Sequence, residues 1–80
     1  MKIYLITIGN ELLNGKIRDK NAYWLAGFCY DQNIDLIRNH IVPDEESAIF
    51  TALKDAWEVA DVVITSGGLG PTKDDLTKEL

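Results

Sequence analysis

Acidic residues stand beside turn-forming residues at the ends of apolar runs in three places: Glu11 after Gly9-Asn10, Asp44 after Pro43, and Asp74-Asp75 after Ser66-Gly67-Gly68-Leu69-Gly70-Pro71-Thr72. Carboxylates hold hard divalent cations or act as general bases. Glycines let backbone N–H groups come close to an anion such as a phosphate. The combination suits a phosphate-bearing ligand, with backbone donors for the phosphate and carboxylates for a cation or an attacking water. The glycine-rich loop is not a common nucleotide motif. Gly68-Leu69-Gly70 opens a G-x-G-x-x-G pattern, but Lys73 takes its last position, and no Gly-Lys-Ser/Thr follows at P-loop spacing.

The elements that must position these residues are legible. Ile3 to Ile8 is apolar throughout and rich in β-branched residues, which predicts a strand buried on both faces. Gly9 ends it, and Asn10 to Lys16 reads as a loop. From Lys20 to Gln32, apolar residues at 22, 25, 26 and 29 predict a helix, capped by Asp19 or Asn21 and closed by Asn33 in a left-handed conformation. Trp24 and Phe28 form a second apolar strip, to be covered within the fold or by another subunit. Ile34 to Val42 reads as a second strand with a polar interruption at Arg38, Asn39 and His40. Asp44 suits the N-cap of the next helix, whose apolar face is residues 49, 53, 56, 57 and 60, with Trp57 in the core. Asp61 ends that helix, and Val62 to Thr65 forms a third strand.

The order β-α-β-α-β predicts an α/β fold with a parallel sheet and right-handed crossovers. All strands of such a sheet end on one rim, and ligands bind there where the strand order reverses. Glu11, Asp44, Asp74 and Asp75 are therefore expected on a shared rim.

Eighty residues make at most one domain. Because the last helix has barely started at Leu80, residues 1–80 read as the N-terminal portion of a larger domain, truncated at its C-terminal end. The net charge of −5 argues against nucleic acid or an anionic membrane as partner. The single cysteine, Cys29, forbids an intrachain disulfide and suits a reducing cytoplasm. The run Ile3 to Ile8 is too short for a signal-peptide core or a membrane span.

Each candidate has a structural alternative. Thr72-x-x-Asp75 fits a capping box, and Asp74 or Asp44 could be an N-cap. Asp19 and Asn21 read as residues that cap the first helix and fix the loop. Lys73 reads as solvated, His40 as a surface or hydrogen-bonded histidine, and Cys29 as a small core residue. Glu11 has no capping duty, which leaves it the functional reading.

Taken in order, Gly9-Asn10-Glu11-Leu12-Leu13-x-Gly15-x-Ile17-x-Asp19-x-Asn21, then Val42-Pro43-Asp44, then Ser66 to Thr72 with Asp74-Asp75-Leu76-Thr77, resembles the MoaB/Mog (molybdopterin-binding) domain family. Leu69, where the Mog branch has threonine, and Pro71-Thr72 favour the branch of competence/damage-inducible, CinA-type N-terminal domains. The resemblance implies a three-layer α/β/α sandwich with a mainly parallel sheet. It implies catalytic roles for Glu11, Asp44 and Asp75. Ligand binding falls to Ser66, Gly67, Gly68, Leu69, Gly70 and Thr72, and metal binding to Glu11, Asp74 and Asp75. The cofactor is a divalent metal, Mg2+ or Co2+, with K+ as a further candidate. The ligand is a nucleotide or a pterin, and the protein a homo-oligomer, dimer or trimer. The activity implied is hydrolysis of a nucleotide pyrophosphate such as ADP-ribose. The alternatives are molybdopterin binding or adenylylation in molybdenum cofactor biosynthesis, or a non-catalytic sensing or interaction module in competence or DNA-damage response.

Overall fold

The computed structural model describes residues 1–67. The central strand β1 (Lys2–Ile8) lies between β2 (Asp35–Val42) and β3 (Val62–Gly67), both parallel to it, in the order β2-β1-β3. Between β1 and β2 run a one-turn helix α1 (Asn10–Leu13) and the long helix α2 (Lys20–Asp31). Helix α3 (Glu46–Val59) connects β2 to β3.

The central position of β1 explains its composition. Ile3 to Ile8 are all buried, as a strand covered on both faces must be. Its residues alternate between the faces. Tyr4, Ile6 and Ile8 form one core with Val42 and with Ile49, Ala52 and Ala56 of α3. Ile3, Leu5 and Thr7 turn to the other face. The crossover from β1 to β2 steps one way across the sheet and that from β2 to β3 steps back. Two right-handed crossovers of opposite direction put their helices on opposite faces. Helix α2, with Ala22 and Cys29 buried, therefore completes the three layers expected from the sequence. Cys29 is a core residue, as read.

The ends of the elements follow local chemistry. The Asp19 Oδ1 accepts a hydrogen bond from the Ala22 N–H at 2.9 Å and caps α2. At the other end Asn33 takes φ 57°. The Ile34 N–H donates to the Cys29 carbonyl at 2.9 Å and the Asn33 N–H to Tyr30 at 3.3 Å, a Schellman closure. Asp61 pins β3 to β1: its carboxylate accepts from the Lys2 N–H at 2.8 Å, while its own N–H donates to the Lys2 carbonyl at 2.9 Å.

Three expectations change. The loop expected over Asn10 to Lys16 begins with a helical turn, in which the Asn14 N–H donates to Asn10 at 3.0 Å. A single turn is too short to leave a periodicity in sequence. The N-cap position of α3 is Glu45, not Asp44. Asp44 lies one residue before that cap, and its N–H is taken by the Asn10 side-chain oxygen at 3.2 Å. Trp57 is not core but 80% exposed. Residues 49, 53, 56 and 60 follow the i, i+4, i+7, i+11 line of one helix face. Trp57 sits beside that line with Phe50, over an apolar hollow of about 550 Å³ between α3 and β3.

The polar interruption of β2 has partners on β1. The Thr7 hydroxyl donates to the Asn39 side-chain oxygen at 3.3 Å, and Tyr4 Oη lies 2.9 Å from His40 Nδ1. Partial burial pushes the His40 pKa below its ordinary value, the nearby Arg38 guanidinium pushes the same way, and Asp55 opposes both. The folded chain thus favours neutral imidazole, which accepts from the Tyr4 hydroxyl when its proton is on Nε2. Because the unfolded chain protonates His40 first, this contribution to stability is complete above the unfolded pKa of about 6.5 and is lost as pH falls through the lower folded value. Urea unfolding midpoints should therefore fall on acidification from pH 7.5 to about 5.5, less steeply in His40→Gln. Equal slopes would remove His40 from the account.

Candidate functional site

The strand order β2-β1-β3 reverses between β1 and β3: the crossover that leaves β1 carries α2 over one face to β2, and the crossover from β2 carries α3 over the other face to β3. This is the switch point at which open α/β sheets form a crevice. A hollow of about 430 Å³ opens there. Thr7 and Ile8 form its floor with Ser66 and Gly67, the end of β3; Glu11, Arg18, Asp19 and Asn21 form its wall.

Each wall residue is held by a local cause. Glu11 lies on the one-turn helix begun at Gly9, whose N–H extends the β1–β2 ladder by donating to the Val42 carbonyl at 3.0 Å. The Asn21 side-chain amide donates to Ser66 Oγ at 2.9 Å, which ties the start of α2 to the end of β3. Gly67 has φ 83°, and a Cβ there would stand 2.3 Å from the Ile8 carbonyl oxygen. Only glycine therefore lets the end of β3 pass β1 this closely.

The local charge differs from the global one. Lys16, Arg18 and Lys20 are three of the eight lysines and arginines of an acidic chain, and they fall within five residues leading into α2. Arg18 and Lys20 border the hollow. The first turn of α2, the positive end of its dipole, opens at the same place. Asp19 gives one oxygen to the helix cap, while its Oδ2 is buried with no hydrogen-bond donor among the described residues. That atom can accept from a ligand hydroxyl or contact a cation.

The predicted site residues divide into groups. Glu11, Ser66 and Gly67 meet at the crevice. Asp44 is at the end of β2, on the same rim but beyond β1, joined to the first loop through Asn10 and not in the wall of the hollow. Gly68, Leu69, Gly70, Thr72, Asp74 and Asp75 lie outside the described residues. Among the described residues no three histidine, cysteine, aspartate or glutamate side chains converge on one point. Glu11 and Asp19 therefore offer part of a cation's oxygen donors and not a complete set. Sequence reading overlooked Arg18, although its alternation with Lys16 and Lys20 in an acidic chain was a visible signal. It read Asn21 as a loop-fixing residue, and the bond to Ser66 agrees.

The larger hollow beside α3 is a different surface. Its walls include Ile49, Phe50, Leu53, Trp57 and Val63, and it reaches Ile8 and Thr65 on the α3 side of the sheet. Apolar walls suit packing, whereas the smaller crevice has the polar groups that orient a ligand.

A doubly wound α/β domain with its crevice at the β1/β3 switch point defines the class. The profile of the family described as "Probable molybdopterin binding domain" matches residues 4–80, and the chain belongs to that family. The chain is 49% identical over 74 residues to a protein of Pyrobaculum arsenaticum and 43% identical over 77 residues to a CinA-like protein of Escherichia coli. Those matches take in 92% and 96% of this chain but only 28% and 19% of the relatives. Among solved structures, the CinA protein of Thermoplasma acidophilum, described there as of unknown function, superimposes with TM-score 0.88 at 39% identity. It covers 99% of this chain, which spans 48% of that one. A MogA structure superimposes with TM-score 0.79 at 25% identity, covering 99% of this chain and 55% of that one. The CinA-like, MoaB/Mog-type assignment thus agrees with the sequence motifs. No helix among the described residues is long and apolar enough to cross a membrane.

Proposed function

We propose that the crevice binds the diphosphate of a nucleotide and that the protein hydrolyses a nucleotide pyrophosphate such as ADP-ribose with a divalent metal, Mg2+ or Co2+. The observation that carries this reading is the junction of Ser66 and Gly67 with the start of α2, bordered by Arg18 and facing Glu11. Backbone N–H groups at a helix start and an arginine complement phosphate charge. The metal would be held by Glu11 with Asp74 and Asp75, and when bound would neutralise charge developing on the phosphoryl oxygens. In the reaction a water oxygen forms a bond to one phosphorus and the bridging P–O bond breaks. The water proton passes to a carboxylate, and the phosphate that leaves completes AMP or ribose 5-phosphate. Asp44, at the next strand end, would orient the ribose or the water from the side of β2.

Full-length protein incubated with ADP-ribose and Mg2+ or Co2+ should release AMP, and Asp75→Ala should reduce the rate by about 10²-fold or more. Intact ADP-ribose in the wild-type reaction would count against the reading. The family description and the likeness to MogA favour a second reading, molybdopterin in the same crevice. In that case molybdopterin would displace ADP-ribose in a titration, and the protein would restore cofactor synthesis in cells lacking the adenylyltransferase.

A further inference from the structure

A carboxylate oxygen in the crevice wall is left unbonded by the fold. Asp19 holds the N-cap position of α2, and its two oxygens have different environments. Oδ1 accepts from the Ala22 N–H at 2.9 Å, which completes the capping role. Oδ2 is buried and has no hydrogen-bond donor among the described residues, although Arg18 and Lys20 are its neighbours in the chain. A cap needs one oxygen only, and serine, threonine or asparagine would supply it without a buried charge. A charged oxygen withdrawn from water and left unpaired is destabilising, so its presence calls for a donor that arrives from outside.

The surroundings decide the kind of donor. Asp19 lines the hollow together with Thr7, Glu11, Arg18, Asn21 and Ser66. A bare cation fits poorly at Oδ2. Arg18 and Lys20 border the same hollow, the positive end of α2 opens into it, and no three metal-ligating side chains converge among the described residues. A phosphate fits poorly at Oδ2 itself, because two negative charges would meet. The positive groups beside Oδ2 nevertheless favour a phosphate close by. A neutral donor carried on a phosphate-bearing ligand satisfies both conditions, and a sugar hydroxyl is such a donor. Nucleotide-binding α/β crevices pair the same two elements, a helix N-terminus for the diphosphate and a carboxylate for a ribose hydroxyl.

We propose that Asp19 is a specificity-determining residue: its Oδ2 accepts a ribose hydroxyl of the nucleotide, so that the crevice selects ribonucleoside diphosphate groups over deoxyribonucleoside ones and over a bare diphosphate. The inference rests on the reading of the crevice as a diphosphate site and adds the sugar to it. One carboxylate then serves both fold and ligand. Oδ1 fixes the start of α2, which holds Asn21 against Ser66 at 2.9 Å, and Oδ2 reads the ligand that this junction binds.

Asp19→Asn in the full-length protein tests this. Asparagine caps a helix as well as aspartate does, so the thermal midpoint should hardly move, while its amide can place a donor where Oδ2 accepted. Calorimetric titrations with Mg2+ present compare two ligands that resist hydrolysis, α,β-methylene ADP and methylenediphosphonate, which lacks the sugar. Asp19→Asn should bind α,β-methylene ADP about thirtyfold more weakly and methylenediphosphonate as tightly as the wild type or more so. Of the 2′-deoxy and 3′-deoxy forms of α,β-methylene ADP, one should lose a similar factor in the wild type and nothing further in Asp19→Asn. Equal affinity of the two proteins for α,β-methylene ADP overturns the proposal and leaves the diphosphate reading standing. So does a wild type indifferent to both deoxy forms. A parallel loss for methylenediphosphonate would make Asp19 structural, and a loss restored by raised Mg2+ would make it a metal ligand; either overturns the proposal. A wild type that binds neither ligand overturns the diphosphate reading and the proposal together.

Discussion

Gly67→Ala should lower stability by about 2–5 kcal/mol and abolish ligand binding at the crevice. Two costs combine. The backbone at residue 67 holds φ 83°, where an L-residue loses about 1–2 kcal/mol. The new methyl group would also stand 2.3 Å from the Ile8 carbonyl oxygen, so β3 must move away from β1. That oxygen belongs to the most buried strand of the fold, flanked by the Ile6 and Ile8 core, and it cannot yield cheaply. Movement of β3 also separates Ser66 from Asn21, the bond that closes the crevice. Against a domain stability of about 5–15 kcal/mol such a loss is large. The urea midpoint and calorimetric titration with ADP-ribose measure the two effects. A midpoint near wild type would show that the β1–β3 spacing is not as close as described.

The second large effect is on turnover. Glu11→Gln should reduce ADP-ribose hydrolysis by about 10²-fold or more while shifting the thermal midpoint little. Glutamine keeps the volume of glutamate, and Glu11 is exposed on a one-turn helix outside the core. The substitution removes only the charge that the crevice offers to a cation or an attacking water. Raised Mg2+ should partly restore the rate if Glu11 acts through the metal, since a weakened site is refilled by mass action. Equal rates in the two proteins would take Glu11 out of the site.

Much of this was legible in the residues. The unbroken apolar run of β1 gave its burial on both faces, and Asp19 and Asn33 gave the two ends of α2, because each is a local requirement of backbone geometry. The crevice was legible as a rim, since parallel strands must end together. Which residues meet on that rim was not, because strand order depends on long-range pairing. With β1 in the centre, Glu11 and Ser66 come together while Asp44 is set apart beyond β1. Trp57 misled the reading because it lies next to the true apolar line of α3, and its exposure depends on what covers the hollow beside β3. Asp44 misled it because an aspartate after proline looks the same one residue before a helix cap as at the cap itself.

A crystal structure of the full-length protein with ADP-ribose tests the central claim most directly. The account predicts the diphosphate at the carboxyl ends of β1 and β3, against Ser66, Gly67 and the first turn of α2, with Arg18 within hydrogen-bonding reach. A diphosphate placed elsewhere, in the apolar hollow between α3 and β3 or off the strand ends altogether, would contradict it.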